Sequence, residues 1–408
     1  MRRSLLALFL LVTACTGEMA AISTSTASST TTTSTTTTST MSTTTTTLPT
    51  TTTTLPPTTT TTTLVPRDGL TAADRVLSEI ETISGDLAAK SVVASGKGLF
   101  FAQNMMYRHT ISVFNRDYQL VTTIADEVTP ADFGYGEEFP GTYQGSPVEA
   151  AFTSDGSHAY VSNYHMYGGG LDTSAGDGCN EGDWPDSFVY RIDTTTLQID
   201  QLLRVGPVPK FLALTPDDRY LLVANWCGFD VSVLDVATGA EVTRIEVGRH
   251  PRGIAVSPDS ATAYVAVMGS RDVAVIDMNS LTTSYMKDIG GGPRHIVLAP
   301  DGTLMYVSLN SEDRLAKVDT ATGEVLGKVA TGNAPRSMAI SDDGTALYVV
   351  NYDSDTLSKV RTADMTEIDE LAVSDKPIGI TYDPATRQVW VSAYSGTIEV
   401  FADEAPSS

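Results

Sequence analysis

Five prolines, Pro209, Pro251, Pro293, Pro335 and Pro377, follow one another at intervals of 42 residues without slippage. Sixteen residues beyond each one a short apolar run ends, at Asn225, Val267, Leu309, Asn351 and Ala393. The same offset joins Pro147 to Asn163 and Ala88 to Asn104, which makes seven units. A unit of this size with apolar runs of four to six residues builds one small sheet, and a lone sheet cannot bury both faces until neighbours stack on it. The period therefore predicts an all-β chain: a seven-bladed β-propeller of four-stranded antiparallel blades.

Each unit reads alike. In the unit that starts at Pro251, a strand through Ile254, Ala255 and Val256 is followed by a Ser-Pro-Asp turn and a second strand through Tyr264, Val265, Ala266 and Val267. A polar turn, a third strand from Val273 to Ile276, a further turn and a fourth strand complete it. Asp235, Asp277 and Asp319 close three successive third strands, where a carboxylate can accept turn N–H groups. The last unit lacks its outer strand, and residues 76–83 supply a match before the first unit. N- and C-terminal segments are thus expected to share the last blade, because an unclosed ring would leave two bare edges.

Upstream of the repeats, Arg2 and Arg3 lead an apolar run over residues 5–12, too short to span a bilayer and of the length of a secretory core region. It ends in Val12-Thr13-Ala14-Cys15, which resembles a bacterial lipobox, so Cys15 is the expected lipidation site. Residues 23–63 are almost wholly Thr and Ser with two Leu-Pro interruptions, a composition with nothing to bury against the entropy of ordering. Fully extended, that tract reaches at most ~140 Å. The expected organisation is a lipoprotein signal peptide at 1–14, a disordered Thr/Ser-rich tether at 15–64 and the propeller at 65–408. The chain is then exported, anchored by lipid to the outer face of a bacterial cell membrane and displayed outside the cytoplasm.

Beyond residue 64 lie 24 basic and 48 acidic residues, since only Arg2, Arg3 and Glu18 precede it. Such a surface repels nucleic acid and excludes it as a partner. Setting Cys15 aside leaves Cys179 and Cys227. In an oxidising compartment they are expected to form a disulfide, since one follows the second strand of its unit and the other the equivalent strand of the next. Two buried free thiols are the alternative.

The runs Tyr160-Val161-Ser162-Asn163 and Tyr348-Val349-Val350-Asn351, with the Pro-Arg-x-x-Ala-x-Ser-Pro-Asp stretch that begins at Pro251, resemble the YVTN-type β-propeller repeats of exported bacterial and archaeal surface proteins. The resemblance covers about residues 85–401. It implies a fold and not a chemistry, because related propellers include lactonases, adhesion modules and scaffolds.

Function is sought at the channel mouth, where both long insertions, about residues 126–145 and 164–186, are expected to emerge. They carry Phe133, Tyr135, Phe139, Tyr143, Tyr164, Tyr167 and Trp184, read here as a partial lid or rim. The residue after the marker proline is Lys210, Arg252, Arg294 and Arg336 in four consecutive units. Around a funnel these cations would bind a carboxylate, phosphate or sugar acid, with Trp226, Tyr352 and Tyr394 beside them. Equally, each can pair with a turn acid, Asp230, Asp272, Asp313 or Asp353. His295 and His165 are the only candidates for proton transfer, and no catalytic motif accompanies them. Asp172, Asp177, Glu181 and Asp183 are the only acids grouped for Ca²⁺, at spacings that miss the EF-hand pattern; no other metal or cofactor is indicated. The expected protein is a monomeric, non-enzymatic binding module whose mouth holds a protein, a glycan or a small anion. The alternative is a lactonase-type hydrolase acting on a small anionic or sugar-acid substrate in the funnel.

Overall fold

The computed structural model describes residues 68–169, 171, 179 and 184–406. The chain divides into two units, Met1–Thr60 and Thr61–Ser408. The first unit, and with it Cys15 and the signal and tether segments, lies outside the described residues, as do Asp172, Asp177, Glu181 and Asp183.

The second unit is all-β: seven four-stranded antiparallel sheets, with a separate two-stranded ribbon in an insertion. Blade 3 shows the plan, with Pro209–Leu214 innermost, then Tyr220–Asn225, Asp230–Asp235 and Glu241–Glu246. Innermost strands touch their neighbours all the way round, and Ser91–Ala94 of blade 1 meets Pro377–Asp383 of blade 7. The ring closes as expected. Val76–Ser84 pairs with Thr397–Glu404 as the outer strand of blade 7.

Seven hydrophobic clusters lie between blades rather than within them. One joins Val231 and Val233 of blade 3 to Ala263 and Val265 of blade 4, and another stacks Phe100 of blade 1 on Trp390 of blade 7 at 3.9 Å. Each cluster needs two blades, which is why the period must repeat to be stable. Where innermost strands approach most closely, side chains have no room. A Cβ on Gly253 would sit 2.7 Å from the Cα of His295, and one on Gly379 would sit 2.6 Å from the Cα of Ser91.

Closure is also locked by charge. Lys359 of blade 6 and Asp403 at the chain end are both fully buried and meet at 2.5 Å. The Lys359 ammonium also donates to the Arg75 carbonyl at 2.9 Å, and the Tyr348 hydroxyl donates to Asp403 at 2.6 Å. This network ties the N-terminal strand, blade 6 and the C-terminal strand together. The repeated turn acids act as expected: Asp235, Asp277 and Asp319 accept turn N–H groups at 2.8, 2.9 and 2.8 Å.

Candidate functional site

The geometry of the mouth starts with the marker prolines. Proline lacks an N–H and suits a strand start, and here the residue before it holds a left-handed conformation: Val208, His250, Gly292, Ala334 and Lys376 have φ between 52° and 62°. Such strain in non-glycine residues persists only where its surroundings enforce it. Between the proline and the second residue after it the register slips by one, a β-bulge. A bulge re-aims the extra side chain. That extra residue is Lys210, Arg252, Arg294 or Arg336 in blades 3 to 6.

Blade 1 adds a cation that the sequence reading misses. Its first hairpin closes from Ser95 N–H to the Leu99 carbonyl, four residues on, whereas Thr215, Ser257, Ala299 and Ser341 each close onto the fifth residue. One residue is absent from that turn. The innermost strand is therefore displaced by one against the marker, Ser91 faces Gln103, and Lys90 occupies the bulge position. Ala88 is not the equivalent of the prolines; Ala89 is. The deletion in Ser95-Gly96-Lys97-Gly98, against Ser257-Pro258-Asp259-Ser260-Ala261, is the signal that could have found it.

Lys90, Lys210, Arg252, Arg294 and Arg336 line one cavity of about 230 Å³, together with Trp226, Met268, Met105, Ile378 and Tyr394. Most of these apolar residues share a second repeat position, the one after the end of the second strand. There Tyr164, Trp226, Met268, Asn310, Tyr352 and Tyr394 each send their N–H back to a carbonyl in the residues preceding their own innermost strand, at 2.8 to 3.2 Å. The result is a floor of cations under a collar of aromatic and methionine side chains. The Lys210 ammonium lies 4.2 Å from the Tyr164 ring centre and 5.4 Å from that of Trp226; the Arg336 guanidinium lies 3.9 Å from that of Tyr352. Trp226 in turn stacks on His250 at 4.3 Å.

The turn acids do not neutralise this floor. Asp230 accepts from Asn225, Asp272 from Lys287, Asp313 from the Ala334 N–H and Asp353 from Lys376. Lys90 and Arg294 are each only 4% exposed, and no carboxylate lies within 4.0 Å of either among the described residues. Arg294 donates to the Met268 sulfur at 3.8 Å, and the Arg336 Nε is buried without a partner. Burial and the like charges of Arg252 and Arg336 press the Arg294 pKa far down from its usual range. Burial does the same to Lys90, joined by Arg252 and Arg294 and opposed by the Glu149 carboxylate. A guanidinium holds its proton under almost any protein environment, so at Arg294 the cost stays in the structure as positive potential, which Glu149 offsets from the Lys90 side.

Two ionisable groups flank the floor from the position two after the marker. Glu149 of blade 2, missed in the sequence, is 7% exposed; burial raises its pKa, with Lys90 and a Ser91 hydrogen bond pulling the other way. His295 takes the Met338 N–H on Nδ1 at 3.1 Å, which leaves the proton on Nε2. Burial, then Arg294, Arg252 and Lys90, push its pKa down to about 3. It is a neutral imidazole and cannot serve as a base that cycles near neutrality. His165 stands apart. It is 5% exposed, stacked on Trp184 at 5.3 Å and packed edge-on to Tyr164 at 4.3 Å, outside the cavity lining.

The insertions divide in role. Phe139 and Tyr143 are buried in the core shared by blades 1 and 2, with Phe133 and Tyr135 packed against it, and Phe139 meets Phe188 edge-on at 5.3 Å. These four residues are a wedge between blades and do not form a lid, because packing in that core removes their rings from water. Tyr164 alone of that aromatic set reaches the cationic floor. Cys179 and Cys227 form the expected disulfide, which holds Cys179 beside the Trp226 carbonyl. No three His, Cys, Asp or Glu side chains converge as a metal site among the described residues.

Fold and mouth together define a seven-bladed β-propeller with a cationic well at one end of its channel. A family model described as "Lactonase, 7-bladed beta-propeller" matches residues 187–324, from the third strand of blade 2 to the last turn of blade 5. No curated protein matches the chain. Among solved structures it is similar to hydrazine synthase of Kuenenia stuttgartiensis, at 16% identity and a TM-score of 0.61, over 79% of this chain and 98% of that one. At that identity the likeness is one of fold.

Proposed function

We propose that the chain is a lipid-tethered, extracytoplasmic binding module that captures a small anion in the well at its channel mouth. One observation carries the reading: five cations share one small cavity, and two of them, Lys90 and Arg294, are buried with no carboxylate in ion-pair range among the described residues. Buried charges without partners are costly, so a site that keeps them is one that a ligand completes. Calorimetric titration with phosphate, succinate and gluconate at low salt tests this. Binding of at least one anion that is lost in Arg294→Met supports it; three flat titrations refute it. The lipid tether has its own test, since Cys15→Ser should release the protein from the membrane fraction.

A lactonase-type hydrolase is the second reading, favoured by the family match and by Glu149. Glu149 is a buried carboxyl of raised pKa beside the cations, a group suited to proton transfer, while the floor would stabilise an oxyanion. Lactone turnover that disappears in Glu149→Gln and Arg294→Ala, with folding intact, would replace the binding reading by this one.

A further inference from the structure

Blade 1 reaches the well through Lys90 and Met105, and the two residues that follow Met105 are apolar. In blades 3 and 6 four residues separate the second and third strands: Trp226-Cys227-Gly228-Phe229 and Tyr352-Asp353-Ser354-Asp355. Blade 1 has five, Met105-Met106-Tyr107-Arg108-His109, and its first three are large and apolar. Tyr107 and His109 both adopt left-handed backbone, with φ of 66° and 51°, and Tyr107 is left 87% exposed. A bulky residue held out into water in that conformation gains nothing for the fold.

These residues face a second cavity of about 470 Å³. Met105, Met106, Tyr107 and His109 of blade 1 line it with Ser146 and with Tyr164 and Tyr167 of the second insertion. His109 is positioned by its bond to the Gly145 carbonyl at 2.9 Å and by edge-on contact with Tyr167 at 5.2 Å. Met105 lines both cavities, so the cleft adjoins the cationic well at its flexible side chain. Methionines adapt their shape to flexible apolar groups, and tyrosines offer an apolar face with a wet edge.

We infer that the ligand is an amphipathic carboxylate, its head on the cations of the well and a flexible acyl chain in the Met105–Tyr107 cleft. This deepens the anion-binding reading and rests on it. A cationic floor alone would suit any small anion; a methionine-lined cleft beside it suits an anion that carries a chain. Charge complementarity fixes the head, and the shared residue Met105 fixes the direction of the tail.

The test is calorimetric titration of the full chain with hexanoate, octanoate and decanoate below their micellar range, decanol as the uncharged control and succinate as the chainless anion. Affinity is expected to rise about fourfold per methylene until the cleft is filled. Tyr107→Ser and Met106→Ser should flatten that series and leave succinate binding unchanged; Tyr107 is so exposed that its variant keeps the fold. Arg294→Met should weaken every carboxylate in the series. Equal affinity across the chain lengths, or decanol binding as tightly as decanoate, overturns the inference while succinate binding still stands for the anion reading. Absence of binding by every carboxylate, succinate included, overturns both.

Discussion

Replacing Arg294 with methionine is expected to move stability and affinity in opposite directions. The guanidinium is 4% exposed, lies among Lys90, Lys210, Arg252 and Arg336 around one cavity, and donates to a sulfur at 3.8 Å. Methionine keeps much of the stem and adds no charge. Exchange of a buried ionic group for an apolar one of similar volume typically stabilises by about 1–4 kcal/mol when no strong partner is lost. For a domain of roughly 340 residues the melting entropy converts that into a Tm rise of about 1–6 °C. An anion bound in the well loses a charge-assisted hydrogen bond, about 1.5–3 kcal/mol, so its Kd should rise about 10- to 150-fold.

Thermal melts with and without anion, paired with titration calorimetry at fixed low salt, read both quantities. The wild type should gain Tm on adding ligand, and the variant should start higher and gain little. Arg294→Lys keeps the charge without the planar fork and should fall between them in affinity. A variant that melts several degrees lower yet binds as tightly would refute the reasoning, for then Arg294 is a brace of the fold and not part of a binding surface.

Burial lifts the Asp126 carboxyl to about 7, with Tyr190 and the Gly145 N–H pulling it partly back. The fold therefore favours the acid form: this contribution, about 4 kcal/mol, is complete below pH 4 and is lost as pH rises through 7. Asp126→Asn should be the more stable protein at pH 8 and flatten the melting profile between pH 5 and 8; an unchanged slope counts against it. His295 is held neutral down to about pH 3, so its proton resonances should stay fixed from pH 5 to 8, and a midpoint near 6.5 would contradict its placement. Asp403→Asn strands the buried Lys359 and should cost about 3–5 kcal/mol in urea denaturation, most of it recovered by adding Lys359→Met. Cys227→Ser opens a disulfide spanning 48 residues and should lower stability by about 4 kcal/mol, read from the same denaturation curves.

The fold was legible because its information is periodic: Pro209 to Pro377 place the innermost strands, and residues 76–83 complete the last blade, as the pairing of Val76–Ser84 with Thr397–Glu404 shows. The site was legible only where the period holds. Lys210, Arg252, Arg294 and Arg336 share one bulge position and could be aligned by counting. Lys90 could not, because one residue is missing from a turn nine residues further on by Leu99, and a count anchored on Asn104 carries that slip into the strand. Glu149 escaped notice because its position holds Ser91, Phe211, Gly253, His295, Ser337 and Gly379 elsewhere, with no common chemistry to mark it. Phe139 and Tyr143 were misplaced for another reason. An aromatic in a long loop satisfies itself against whichever apolar surface is nearest, and the interface between blades 1 and 2 was invisible before the sheets were stacked.

The left-handed residue, proline and bulge that recur in blades 3 to 6 serve scaffold and site with one device. The left-handed residue offers its carbonyl to the collar, the proline starts the strand, and the bulge aims a cation at the channel. Set in a chain of net charge −23, that cationic floor is recessed behind a repelling surface. On the anion-binding reading this is a filter by size. A polyanion such as heparin or polyphosphate meets the long-range field of the whole protein and cannot bring its charges to the floor, whereas a small anion, screened within about 10 Å at ordinary salt, passes the rim and meets the local field alone. The salt response separates the two cases. Small-anion affinity should change little between 0.05 and 0.3 M salt, because the floor is buried and weakly screened, while heparin should fail to bind even at the low end; tight heparin binding would place the cations at the surface and dismantle the filter.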